Sequence, residues 1–195
     1  MYLDLITANY FKRMPWKNGK GETTELFAKR DSQTNELIFR LSIASVTVDG
    51  NFSDFSGFQR TLIMISGNGI ILSHQGQQTQ ELTQQYQYCR FDGGWQTAAK
   101  LINGPITDFN VICNSQTACS KVSVLSDGES KNLDSGADDL FLFAHKQAGR
   151  CRLSPYKIAS VVDIPQGSLL HLANTDMAKI TASGNGLICV QIYDQ

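Results

Sequence analysis

Apolar and polar positions alternate in short runs along this chain, and no stretch carries the spacing of an amphipathic helix. The clearest run is Leu37 to Ala44. Leu37, Phe39, Leu41 and Ile43 share one face of an extended segment, and Ile38, Arg40, Ser42 and Ala44 share the other. Asp108 to Cys113 reads the same way, with Phe109 and Val111 on one face and Asp108, Asn110 and Ile112 on the opposite one. Further strand-like runs cover Tyr2 to Ile6, Glu22 to Phe27, Thr61 to Ser66, Tyr86 to Phe91, Val122 to Leu125, Leu140 to Ala144, Ile158 to Ile164 and Ser168 to Leu172. Turn-forming Gly, Asn and Pro residues separate them, as at Asp92-Gly93-Gly94, Asn103-Gly104-Pro105 and Pro165-Gln166-Gly167. Many short strands with regular turns predict an all-β sandwich or barrel. Ser126 to Asp139, rich in Ser, Asp and Gly, is the expected mobile loop.

Ser66-Gly67-Asn68-Gly69 followed by Ile70-Ile71-Leu72 predicts a hairpin. Ser183-Gly184-Asn185-Gly186 followed by Leu187-Ile188-Cys189 repeats it. The repeat points to internal duplication, with convergent turn chemistry as the alternative. Much of the chain follows the first copy and little follows the second. A duplicated fold must then complete its second unit with the N-terminal strand, Tyr2 to Ile6.

The polar face of Leu37 to Ala44 is either solvated, which is the default for a half-buried strand, or it lines a polar cavity. The stretch from Met14 to Leu26 bears on this choice. It packs Pro15, Trp16, Asn18-Gly19 and Gly21 into one tight run ahead of a strand. Such a turn is a capped surface hairpin, or it brings an aromatic ring, an amide and hydroxyls to a pocket mouth. It is not a phosphate loop. Lys20 is followed by glycine, and a strand rather than a helix comes next.

The 195 residues suffice for one large domain or two small ones, and a net charge of −1 offers no footprint for nucleic acid or an anionic membrane. The N-terminus lacks a secretory pattern, and no apolar run reaches membrane-spanning length. Cys89, Cys113, Cys119, Cys151 and Cys189 show no C-x-x-C spacing, which argues against a zinc knuckle or redox motif. Free thiols in a cytoplasmic protein are the expected reading.

Several motifs together resemble the HutD/Ves family of bacterial proteins. They are Pro15-Trp16-Lys17-Asn18-Gly19 with Gly21, Thr23 and Glu25, and the strand pattern Arg40, Ser42, Ala44. A loop from Gly50 to Gly57 ending in Arg60, then Phe91-Asp92-Gly93, and Gly104-Pro105 with Asp108-Phe109-Asn110, complete the set. The chain departs from the pattern at Lys20, where glycine is expected. The resemblance implies a double-cupin (bicupin) fold of two jelly-roll β-barrels, one over about residues 16–115 and one over about 116–195. It also implies a cytoplasmic protein linked to histidine utilisation or to cold and stress responses.

Many cupins hold a metal through a His-x-His pair, a Glu and a distant His. Here His74, His145 and His171 are scattered, and His74 with Glu81 is only a faint trace in a Gln-rich stretch that reads as surface. No metal or other cofactor is expected. Nucleophilic catalysis has no local signature. Asp108 or Glu25 could act as acid or base if buried. Binding needs only convergent polar groups on an apolar wall. Arg40 and Arg60, the latter near the rim, offer bidentate charge for a carboxylate, and Asn18, Thr23, Ser42, Asp108 and Asn110 offer hydrogen bonds. Trp16, Phe52 and Phe91 offer the wall. The competing structural reading is a buried Arg40–Asp108 ion pair that ties strands together. The expectation is a metal-independent binder of a small carboxylate in a regulatory or accessory role in histidine utilisation or stress response, with a histidine-pathway metabolite as one candidate ligand, acting as a monomer or homodimer. A metal-independent isomerase or hydrolase of a small acid, and a protein-interaction module, are the alternatives.

Overall fold

The computed structural model describes residues 1–16, 21–154, 160–175 and 178–195. The chain forms two compact units. After β1 (Tyr2–Ile6), the unit Phe11–Ala118 holds β2 (Lys12–Pro15), β3 (Gly21–Arg30), β4 (Leu37–Val46), β5 (Gly50–Asn51), β6 (Phe58–Ser66), β7 (Ile70–His74), β8 (Gln80–Leu82), β9 (Tyr88–Asp92), β10 (Thr97–Leu101) and β11 (Ile106–Asn114). The other unit joins Met1–Tyr10 to Cys119–Gln195. Besides β1 it contains β12 (Ala118–Leu125), β13 (Ser130–Leu133), β14 (Asp139–Ala144), β15 (Gly149–Ser154), β16 (Ser160–Ile164), β17 (Leu169–Ala173), β18 (Lys179–Ser183) and β19 (Leu187–Asp194). A 3-10 turn at Ala8–Tyr10 is the helical element among the described residues, and no helix is long and apolar enough to cross a membrane. The fold is all-β, as the alternating pattern predicts.

In the 11–118 unit, a six-stranded sheet ordered β2-β3-β4-β11-β6-β9 accompanies a four-stranded sheet ordered β5-β10-β7-β8. The other unit has a five-stranded sheet, β1-β17-β14-β19-β12, and a four-stranded sheet, β13-β18-β15-β16. The order β4-β11-β6-β9 with β5-β10-β7-β8 therefore recurs as β12-β19-β14-β17 with β13-β18-β15-β16. β1 adds to β17 in an antiparallel register from Tyr2↔Ala173 to Ile6↔Leu169, and Leu5 packs on the core of that unit.

Neither Ser-Gly-Asn-Gly turn is a hairpin. Residues 66–69 carry the chain from β6 in the six-stranded sheet to β7 in the four-stranded one, and residues 183–186 run from β18 to β19, also between sheets. The copies sit at different points of the recurring strand order, so shared turn chemistry, not common position, explains their likeness. Gly67 shows what the turn requires. Its φ is +102°, and a Cβ there would lie 2.6 Å from the Pro105 carbonyl oxygen. The Asn68 side-chain amide donates to the Asn103 carbonyl at 2.7 Å, which locks this turn onto the next.

Other expectations also shift. The supposed mobile loop from Ser126 to Asp139 contains β13, paired with β18 from Ser130↔Ser183 to Leu133↔Ile180. β13 is an edge strand with three exposed polar residues before Leu133, so it shows no apolar alternation to read. β8 is likewise a short edge strand, whereas β10 and β15 are interior to their sheets but bury small residues such as Ala99 and Cys151 that give a weak apolar signal. The 11–118 unit starts before residue 16, because β2 pairs with β3 from Lys12↔Glu25 to Pro15↔Glu22. Of the Ile158 to Ile164 strand, Ser160–Ile164 forms β16, and Ile158 lies outside the described residues.

If β1 is a working strand of its unit, deleting residues 1–6 should expose one edge of β17 and part of the Leu170 and Leu172 environment. Amide hydrogen exchange should then show faster exchange in β17, with β11 protection unchanged. Uniform loss, or no change in β17, would count against this pairing.

Candidate functional site

The antiparallel register of the six-stranded sheet lays its inward side chains out in rows. Arg40, Ile112 and Arg60 face one another across β4, β11 and β6, and Phe91 on β9 is opposite Arg60. In the next row Ser42 is opposite Asn110, with Leu62 and Cys89 beyond. In the third, Thr23, Ala44, Asp108 and Met64 align. A register shift between β6 and β11 at Thr107/Asp108 sits beside the Asp108 position, and such irregularities re-aim side chains. The deeper part of this interior is apolar, with Leu62, Met64, Ile70, Leu72 and Phe91 in one cluster.

The polar part encloses a cavity of about 470 Å³. Its floor is a short chain of hydrogen bonds. Arg60 Nη2 donates to Asn110 Oδ1 at 3.0 Å, and Asn110 Nδ2 donates to Asp108 Oδ1. The Arg60 guanidinium sits among three rings, 4.8 Å from the centre of Phe52, 5.2 Å from Phe91 and 5.4 Å from Phe55. The Arg40 guanidinium lies 5.1 Å from the Phe55 ring. At the opening, Trp16 Nε1 donates to Thr23 Oγ1 at 2.8 Å. Gly21 makes room for this indole, since a Cβ there would come within 2.9 Å of it.

Burial shapes the charges. Desolvation lowers Arg60 to about 10, countered by Asp108 and reinforced by Arg40. Desolvation also lowers Arg40, with Glu25 opposing and Arg30 adding to the effect. Asp108 is pushed up to about 7 by burial, against the pull of Arg60 and of the Asn110 bond. The Nε atoms of both arginines are buried without a hydrogen-bond partner among the described residues.

The solvated-face default for Arg40 and Ser42 fails. Ser42 and Asp108 are each 1% exposed, and this face lines the cavity with Trp16, Thr23, Phe52, Arg60 and Asn110. Asn18 lies outside the described residues. Phe91 is not on the cavity surface. It is buried in the apolar cluster and supports Arg60 from below. Arg60 is at the floor rather than the rim, 7% exposed, because it is an inward residue of β6. No Arg40–Asp108 ion pair exists among the described residues, since Arg40 is opposite Ile112, and Asp108 is opposite Ala44. Glu25 turns to Lys12 at 3.7 Å instead of the cavity. Phe55, Met14 and Pro15 also line the space. Phe55 carried a signal, as a second phenylalanine in a polar loop, whereas β2 did not read as a strand.

The histidines are more enclosed than expected. His74 is buried, with Nδ1 2.8 Å from Thr97 Oγ1 and its ring against Phe91 and Trp95, while Glu81 is exposed on β8. His171 Nε2 lies 2.6 Å from Asp139 Oδ1. Among the described residues no group of His, Cys, Asp and Glu is placed to hold a metal ion.

The HutD family model matches residues 8–190. The chain belongs to the HutD family. It is similar to an uncharacterized 21.2 kDa protein from the hutC 3′ region of Pseudomonas putida, 37% identical over 142 residues, 73% of each chain. Protein Ves of Escherichia fergusonii is 31% identical over 117 residues, 58% of this chain and 60% of that one. The HutD structure from Pseudomonas fluorescens SBW25, in a formate condition, superposes with a TM-score of 0.83 at 24% identity over 100% of both chains. Lactobacillus farciminis oxalate decarboxylase, in a formate complex, gives 0.65 at 8% identity over 98% of this chain and 86% of that one. These structures place the chain in the cupin jelly-roll fold.

The Asp108 environment sets a pH signature. Between about pH 4 and pH 7 the folded protein retains a proton that the unfolded chain has released, so stability falls as pH rises, by up to about 1.4 kcal/mol per unit. Asp108→Asn keeps an acceptor for Asn110 and removes the titration. Urea denaturation at pH 5 and pH 7.5 should show wild type losing on the order of 2–3 kcal/mol relative to the variant over that interval. Parallel pH dependences would contradict the assignment.

Proposed function

We propose that this HutD-family chain binds a small carboxylate in the cavity of the 11–118 unit, without a metal, as a regulatory or accessory protein of histidine utilisation in the cytoplasm. One observation carries the reading. Arg60 is buried at the cavity floor, yet its recorded hydrogen-bond partner is a neutral amide oxygen, and its Nε has none among the described residues. A buried guanidinium is costly unless its donors are met, and a carboxylate meets two of them at once. The cavity volume, about 470 Å³, suits a small metabolite. Phe52 and Phe55 supply an apolar wall, and Trp16 and Thr23 supply a mouth.

Histidine utilisation is favoured over the stress branch. The relative from the hutC 3′ region shares 37% identity over 73% of this chain, whereas Ves shares 31% over 58%. A second reading draws on Asp108. A buried carboxyl near 7 is suited to move protons at neutral pH, as an isomerase or hydrolase of a small acid would require. A concave, charged floor gives less support to the interaction-module alternative, for which a flat apolar patch would be the sign.

The test is calorimetry with a panel of carboxylates derived from histidine. Arg60→Met should weaken binding by on the order of 2–4 kcal/mol, and Arg40→Met by less, because Arg40 is less buried. If both folded variants bind as tightly as wild type, the arginines are structural and the reading fails.

A further inference from the structure

The buried floor has a charge balance that an incoming anion must upset. Arg60 and Asp108 are 7% and 1% exposed, and Asn110 bridges them through one hydrogen bond to each. With Asp108 ionised, the pair is already neutral. A carboxylate that docks on Arg60 adds a second negative charge near Asp108 in a poorly solvated space. Excess buried charge is expensive, and the group that can shed it most easily will do so.

The neighbours of Asp108 leave few other routes. On β6, Arg60 is the charged group, and Met64 is opposite Asp108. On β4, Ala44 is opposite, Ser42 follows, and Arg40 lies two residues further. Glu25 on β3 is engaged with Lys12. On β9, burial holds the Cys89 thiol up at about 12, so it stays neutral and donates no compensating charge. His74 is behind the Phe91 ring, where its nitrogens face Thr97 and Gln80. Arg40 is a permanent cation on the cavity wall, so it lends positive charge but takes up no proton.

We propose that the cavity takes up a proton together with its anion, and that Asp108 is the proton's seat. This rests on the carboxylate reading of the site. No bond to carbon forms or breaks. One proton moves from solvent to a carboxylate oxygen of Asp108, and the floor becomes Arg60 cation, ligand anion and neutral Asp108. Neutral Asp108 gains an O–H donor, which gives it a direct role in selecting anions that carry a second acceptor. Its raised ionisation, to about 7 before any ligand is present, makes the uptake easy near neutral pH. Binding then weakens above that pH, because the proton must come from an increasingly dilute supply. The slope approaches about tenfold in Kd per pH unit.

The experiment uses the full chain and formate, the smallest carboxylate, as probe. Formate Kd is measured by NMR titration from pH 6 to pH 9 for wild type, Asp108→Asn and Arg60→Met. Wild-type Kd should stay nearly level to about pH 7 and rise by roughly tenfold between pH 7.5 and pH 8.5. Asp108→Asn should give a level profile and bind more tightly than wild type at pH 8.5. Calorimetry of wild type at pH 8 in two buffers of different ionisation enthalpy gives the same answer without a variant, with close to one proton taken up per formate bound. Wild-type binding that is level across the range, zero proton uptake, or an unchanged slope in Asp108→Asn overturns the proposal and leaves the anion site standing. Formate binding unaffected by Arg60→Met, or absent at every pH, overturns the carboxylate reading itself and this proposal with it.

Discussion

The site depends on a guanidinium held inside a β-sheet interior. Arg60 is an inward residue of β6, where its neighbours on the strand are core residues such as Leu62 and Met64. Three aromatic rings at 4.8 to 5.4 Å and one amide oxygen make the charge tolerable. Each contact constrains something else. Phe52 and Phe55 bring the loop after β5 over the sheet. Asn110 must present its oxygen to Arg60, so its nitrogen is directed to Asp108. Asp108 in turn is buried deeply enough to be pushed up to about 7. One cation thus orders a loop, an amide and a carboxyl, and its own Nε is left facing no described partner.

The recurring strand order makes this chemistry easier to interpret. In the 119–195 unit, β14 and β19 occupy the places that β6 and β11 hold in the other unit. Their contributions to its core are Leu140, Leu142, Ala144, Leu187 and Cys189. No arginine takes the place of Arg60 on β14, and Gln191, further along β19, is tied to Tyr193 and to the Asp134 carbonyl. The same architecture therefore carries an apolar filling in one unit and a polar floor in the other. The architecture alone does not create a site. Substituting charged and amide side chains at a few inward positions does.

Much of this was legible before the structure. Alternation along Leu37 to Ala44 and Asp108 to Cys113 places Arg40 with Ser42, and Asp108 with Asn110, and antiparallel pairing then sets Asn110 against Ser42. Alternation cannot say whether a polar face is wet or enclosed, so the solvated default was the wrong choice. Nor can it set depth. Arg60 looked like a rim residue because it precedes the apolar run Thr61 to Ile65, yet the strand begins at Phe58. Phe91 looked like wall because it is aromatic, but its place opposite Arg60 on β9 puts it beneath the cation. The Ser-Gly-Asn-Gly turns misled for a different reason. Their chemistry suits any sharp reversal, including a crossing between sheets, which only pairing reveals.

On the proposed reading, the Arg60 Nε–H, which has no partner among the described residues, is the donor that an incoming anion meets. Nitrogen-15 NMR of the arginine side chains reads that atom directly. On saturation with a histidine-derived carboxylate that raises the melting temperature, the Arg60 Nε–H resonance should shift and its exchange with solvent should slow. A ligand that stabilises the protein while the Arg60 signal stays unmoved would contradict the account.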